Sequence, residues 1–174
     1  MKNGQGKYYN DILYGCFFVL ILIACSVYGQ NGYYTSLQQA LKQPDSVVSL
    51  SLKHQKLKTF PSEILEFKNL QRLDLSRNYI RTIPQEISSL KHLHYVNFAQ
   101  NNIDSLPLTM SSLPIDTLIL WDTYIREFDT SFSRLPLKFL DLRAITMTRK
   151  EQKAIISIFP NAKIRKDHPC NCGR

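Results

Sequence analysis

The stretch LQRLDLSRNYIRTIPQEISSLKH, residues 70–92, places apolar side chains at Leu70, Leu73, Leu75, Ile80, Ile83 and Ile87. That spacing is too close for one face of a helix and too irregular for the two-residue alternation of one strand. Other parts of the chain have the same order. VVSLSLKHQKLKTFPSEILEFKN (47–69), LHYVNFAQNNIDSLPLTMSSLP (93–114) and IDTLILWDTYIREFDTSFSRLP (115–136) align with it, and LKFLDLRAI (137–145) begins a fifth copy. Copies start at 47, 70, 93, 115 and 137, a period of 22 or 23 residues. A period of that size predicts a stack of coils rather than a conventional globule.

Within one coil the alternation around Leu73 and Leu75 predicts a short strand with those two residues inward and Asp74 and Ser76 outward. The chain must then turn back. Asn78 is suited to that place, because its side chain can pair with backbone groups that a tight inner turn leaves without partners. Ile80, Ile83 and Ile87 continue inward from an irregular return segment, where Pro84 is tolerated because no ladder bond is needed. A single coil buries too little apolar surface to offset the ordering of its backbone, so the coils must stand or fall together.

The pattern LxxLxLxxNxL is carried by Leu70, Leu73, Leu75, Asn78 and Ile80, and again by Leu93, Val96, Phe98, Asn101 and Ile103. A second half, xxLPxxIxxL, is carried by Ile83, Pro84, Ile87 and Leu90, and by Phe60, Pro61, Ile64 and Phe67. Over residues 47–145 the chain closely resembles the leucine-rich repeat family. The resemblance implies an α/β fold: a short right-handed solenoid with a curved parallel sheet on its concave side and irregular or 3-10 segments on its convex side. It also implies protein–protein recognition through the concave face, with no enzymatic activity and no cofactor. Departures sit in the outer coils. Gln55, Thr123 and Ile145 stand where the family has asparagine, leaving Asn78 and Asn101 as the structural ladder, and Asp129 replaces the proline of the fourth coil.

Both ends read as caps. Ser36 with Gln39 forms a capping-box pattern before Leu37, Ala40 and Leu41, with a stop at Pro44. Thr148 with Glu151 does the same before Ala154, Ile155, Ile158 and Phe159, with a stop at Pro160, and residues 161–164 suit a last short strand. The expected division is a signal peptide at 1–29, an N-terminal capping helix at 30–46, repeats at 47–145, a C-terminal cap at 146–165 and a tail at 166–174.

The start of the chain changes the picture of charge and location. Lys2 and Lys7 precede an uncharged run from Ile12 to Gly29, with eight consecutive apolar residues from Phe17 to Ala24. This composition is that of an export signal, which places the protein outside the cytoplasm, secreted or in the cell envelope. Two cleavage readings stand beside each other: ordinary cleavage after Gly29, or a lipobox at Leu22–Cys25 whose Cys25 would carry lipid. An uncleaved anchor is the third. Membrane contact is expected only through a lipid anchor or an uncleaved signal segment. Cleavage after Gly29 leaves twenty basic and thirteen acidic residues, a balance that favours acidic partners or anionic surfaces but says nothing of fold.

Little in the chain points to chemistry. There is no nucleophile motif, no paired-carboxylate signature, and six glycines are too few for a phosphate cradle. His92 and His94 lack further ligands, and His168, Cys170 and Cys172 in the tail lack a fourth. No catalytic residue and no metal site is expected. No run of five like charges indicates nucleic-acid binding. What remains is the outward face of the strands. Its first two rows are polar, and the later rows concentrate Tyr95, Ile119, Trp121 and Phe139, with Arg143 beside the only tryptophan. Together with Arg72, Asp74 and Asn97 these form the expected binding set, since aromatic residues with an arginine in a polar surround are the composition of interaction hot spots. A monomer that binds one protein partner is the expectation; a carbohydrate or anionic polymer held by the basic and aromatic residues is the alternative. Palmitate labelling distinguishes the export routes: under the lipobox reading Cys25→Ala loses the label, and under ordinary cleavage wild type and variant behave alike.

Overall fold

The computed structural model describes residues 32–169. The expected signal segment, with Cys25, and the tail cysteines Cys170 and Cys172 lie outside the described residues. Seven short strands run β1 (Tyr33–Tyr34), β2 (Ser49–Ser51), β3 (Arg72–Asp74), β4 (Tyr95–Asn97), β5 (Thr117–Ile119), β6 (Phe139–Asp141) and β7 (Lys163–Arg165). They form one curved parallel sheet in chain order. Its register is the sequence repeat itself: Leu50 lies opposite Leu73, then Val96, Leu118, Leu140 and Ile164. The strands are short because only about three residues of each coil can remain extended before the chain must turn back.

Each coil returns through a five-residue 3-10 segment, at Ser62–Glu66, Gln85–Ser89, Leu108–Ser112 and Thr130–Arg134. Pro61, Pro84 and Pro107 enter the first three at φ −68°, −71° and −66°, the angle that the proline ring imposes. Asp129 takes the same place at φ −63° in the fourth and accepts a hydrogen bond from the Ser131 amide at 2.8 Å. That bond holds its carboxyl below the usual value. The aspartate thus replaces a covalent constraint with a hydrogen-bonded one.

Inside the coils, side chains stack in columns. Leu52, Leu75, Phe98, Leu120 and Leu142 form one; Ile64, Ile87, Met110 and Phe132 another; Phe67, Leu90, Leu113 and Leu135 a third, and all are buried. Because each column advances one coil at a time, a large-to-small change opens a void bordered by two neighbours and cannot be absorbed within one coil.

The asparagines close the inner turn. Asn78 accepts from the Gln55 and Leu57 amides at 3.0 Å each and donates to the Leu52 and Leu75 carbonyls at 2.9 and 2.8 Å. Asn101 accepts from the Ile80 amide at 3.0 Å and donates to Leu75 and Phe98 carbonyls at 2.9 Å each. Each asparagine therefore joins its own coil to the one before. Thr123, shorter and with a single hydroxyl, donates at 2.8 Å to the Leu120 carbonyl of its own coil. The residue before each ladder position lies in the left-handed region, at φ 62° for His54, 59° for Arg77, 55° for Gln100 and Asp122, and 56° for Ala144. Such a conformation costs an L-residue about 1–2 kcal/mol, so its recurrence shows how strongly the turn is imposed from outside.

The ends differ from expectation in two ways. The N-terminal region is not a capping helix throughout: Tyr33 and Tyr34 extend the sheet, and helix α1 has one turn, Leu37–Ala40. The Ser36–Gln39 capping box does not form, since the Ser36 side chain accepts no hydrogen bond from the first turn. At the other end α2 (Arg149–Ile158) carries the full Thr148–Glu151 box, which holds the Glu151 carboxyl below its usual value. Ile155 and Phe159 are buried, Ala154 is exposed, and Gln152 turns inward instead, donating to the Asp167 carbonyl at 3.1 Å. Phe159 meets Phe128 edge to face at 5.2 Å, joining this cap to the fourth coil.

The ladder generates an ordered expectation. Asn101→Ala leaves several buried backbone groups without partners and lowers stability by about 2–4 kcal/mol, whereas Thr123→Ala, which loses one bond, costs about 1 kcal/mol. Urea unfolding of the two variants checks it; equal losses would mean that the cross-coil bonds carry nothing special.

Candidate functional site

The strands are held at one register, so outward side chains meet across coils: Arg72 lies beside Tyr95, Asn97 beside Ile119, Thr117 beside Phe139, and Asp141 beside Arg165. The expected binding residues divide into two groups. Arg72, Tyr95 and Asp74 form one. The Arg72 guanidinium carbon sits 3.9 Å from the centre of the Tyr95 ring, a cation–π contact. Burial, then the Asp74 carboxylate, pushes the Tyr95 hydroxyl up, with Arg72 opposing.

Asn97, Ile119, Trp121, Phe139 and Arg143 form the second group. They line a shallow depression of about 300 Å³ together with Lys53, Arg77 and Arg165. Trp121, Ile119 and Phe139 are half-buried at its base. Arg165 was not among the expected residues. It comes from β7, with its guanidinium 5.7 Å from the Phe139 ring. The sequence signal for it was the Lys-Ile-Arg alternation after the last helix, which continues the outward row one strand further. The described part of the tail keeps to the turn edge, where Asp167 accepts from the Ala144 amide at 2.6 Å.

Two small side chains of the outward rows, Ser76 and Ala99, are each 4% exposed; they line the same depression as Lys53, Trp121 and Arg143 at the equivalent positions, where short side chains present little surface. Asp141 is also buried, at 3%. A recurring device explains these positions. The last strand residue accepts from the amide two residues on: Asp74 from Ser76 at 2.9 Å, Asn97 from Ala99 at 3.1 Å, and Asp141 from Arg143 at 3.2 Å. Asp74 and Asn97 thus have structural work beyond any contact with a partner. Two coils lie outside the series. Ser51 holds this place in the first without making the bond, and in the fourth Ile119 stands there and has nothing to accept with.

Arg143 is anchored by the same carboxylate. Its Nε and Nη2 donate to Asp141 Oδ1 and Oδ2 at 2.9 and 2.6 Å, which raises the guanidinium above its already high value. The paired arginine covers one end of the depression with its remaining donors uncommitted to Asp141. Among the described residues no three His, Cys, Asp or Glu side chains converge to hold a metal ion, and no helix is long and apolar enough to cross a membrane.

Residues 45–103 match the family model for the leucine rich repeat. That stretch therefore carries leucine-rich repeats, and the parallel sheet with its 3-10 returns has the form of a leucine-rich-repeat solenoid. Among solved structures it is similar to a leucine-rich-repeat protein of Leptospira interrogans, with 28% identity and a TM-score of 0.68, over 76% of this chain and 34% of that one. An internalin (inlF) of Listeria monocytogenes shares 16% identity at a TM-score of 0.54, over 71% of this chain and 44% of that one. TLR13, solved in complex with ssRNA13, shares 19% identity at a TM-score of 0.58, over 78% of this chain and 24% of that one. These last two likenesses concern the fold alone. This chain spans about a third of the Leptospira protein and less than half of the internalin. No curated protein matches it. The leucine-rich-repeat fold is in general an interaction module rather than an enzyme scaffold.

The anchored arginine gives a test of the site's construction. Arg143→Ala strips the buried Asp141 of its counter-charge and lowers the melting temperature by several degrees, while Arg165→Ala, whose guanidinium lies over a ring, leaves it nearly unchanged; differential scanning calorimetry of both variants reads the contrast.

Proposed function

We propose that this protein binds another protein through its concave strand face, with Ile119, Trp121 and Phe139 as the apolar anchor and Arg143 and Arg165 at the rim. The observation that carries the reading is Ile119. Three other coils use an aspartate or asparagine there to hold the turn, and the fourth gives up that hydrogen bond for a half-buried apolar side chain at the centre of the aromatic group. A local rule broken without structural gain is characteristic of a site kept for function. The composition of the depression, aromatic and aliphatic at the base with arginine around it, is that of residues that dominate binding energy. Tyr95 and Arg72 extend the surface, and Asp74 and Asn97 position it. Read with the export signal at the N-terminus, the partner is met outside the cytoplasm, in the cell envelope or beyond, by a monomer.

A second reading has support of its own. Lys53, Arg77, Arg143 and Arg165 all line the depression, whose one carboxylate, Asp141, is already paired. That imbalance also suits an anionic polymer. Salt separates the two, since counterion-driven binding weakens steeply between ~50 and 200 mM while an aromatic-centred interface does not.

The decisive variant is Ile119→Asn, which copies the third coil. It restores an acceptor for the turn, so thermal stability is kept or improved, while capture of the partner from native cell envelope falls about tenfold. Undiminished capture by a fully stable Ile119→Asn protein would rule the face out as the binding surface.

A further inference from the structure

A second recess lies at the edge where the coils turn after the strands, outside the strand face. Tyr79 and Tyr124 are 53% and 63% exposed, among the most exposed large apolar side chains of the described residues. Each directly follows a ladder position, Asn78 or Thr123, so both emerge in one row, two coils apart. Their backbones are held to the coil before: the Tyr79 amide donates to the Leu57 carbonyl at 2.7 Å and the Tyr124 amide to the Ile103 carbonyl at 2.8 Å. Asn102 occupies the same position in the coil between them. The three residues line a hollow of about 330 Å³ with Gln100, Asp122 and Arg126, a volume at the lower end of small-ligand sites, about 300–1,000 Å³.

The spacing and the lining chemistry select a ligand class. Rings two coils apart are separated by about two strand spacings, ~10 Å, too far for the tyrosines to stack directly, which needs ~4.5–7 Å between centroids. The interval leaves room for a ring-shaped body. Between the tyrosines the lining is carboxamide and hydroxyl, with one carboxylate (Asp122) and one guanidinium (Arg126) in balance. Balanced charge disfavours a phosphate or sulfate polymer, which needs clustered cations. A floor this polar also lacks the dry apolar centre of a protein hot spot. What fits both features is a pyranose: its C–H faces lie against aromatic rings, and its hydroxyls pair with amide and carboxylate groups.

We propose that this edge hollow is a subsite for a neutral sugar, held between Tyr79 and Tyr124 and oriented by Asn102, Gln100 and Asp122. Gln100 is already part of a polar chain along the edge, accepting from Arg77 Nε at 3.0 Å and donating to Asp122 at 3.4 Å, so these side chains are placed before a ligand arrives. The site shares Gln100 with the depression on the strand face and is otherwise separate from it.

Saturation-transfer NMR on the full-length protein tests this, with cellotriose, chitotriose, maltotriose and mannotriose as neutral probes and dextran sulfate as the charged control. The expected result is transfer to at least one neutral trisaccharide, unchanged as salt rises from about 50 to 500 mM and unchanged in Trp121→Ala. Tyr79→Ala and Tyr124→Ala, both at exposed positions, each weaken it about tenfold with an unaltered melting curve. Transfer to none of the four, transfer that survives both tyrosine substitutions, or binding of dextran sulfate alone overturns the proposal.

Discussion

Everything in this molecule depends on backbone groups being satisfied from one coil to the next at a constant offset. No coil has enough buried surface to stand alone, and the inner turns of the first two are completed by the asparagine of the next coil. Asn78 and Asn101 supply what the preceding coil lacks, with both an acceptor and a donor in one planar group. Serine and threonine carry donor and acceptor on a single oxygen that cannot reach both sides of the turn, and an ionised aspartate has no donor. The apolar columns then follow, because a fixed offset places leucine over leucine whether or not the two residues fit each other perfectly.

That constancy is also why so much was legible in the sequence. A period of 22 or 23 residues is read directly as strand register, since Arg72 pairs with Tyr95 and Leu73 with Val96. Of the two strands outside the repeats, the last was legible and the first was not. Lys163–Arg165 carries its own alternation after the helix, within a stretch already suited to a strand. Tyr33–Tyr34 has no repeat pattern around it, and its place in the sheet comes from the neighbour already present, a tertiary effect that local pattern does not carry.

The strand face was legible in part for a related reason. Alternation set out the rows containing Tyr95, Ile119 and Phe139, and these rows continue past the strand ends to Trp121 and Arg143. It does not show how much of each side chain stays uncovered: Ser76 and Ala99 line the depression and are almost wholly buried. Arg143 was recognisable by its position beside Trp121, but not its anchoring by the buried Asp141, since alternation carries no information on which side chains pair. The row of Tyr79, Asn102 and Tyr124 lies in turns, where periodicity gives no warning of what becomes a surface.

The lapse of the ladder at Thr123 and Ile145 has a bearing on how the molecule yields. Stability in a linear stack is a sum over adjacent junctions, and the junctions into the fourth and fifth coils lack the asparagine tie seen at the second and third. Opening excursions therefore favour the C-terminal half, where Phe128, Phe132 and Phe159 rely on packing more than on directed bonds. The softest region of the stack thus lies beneath its most apolar outer patch, giving that patch room to adjust its contour to whatever settles on it, while the N-terminal half remains the stiff base.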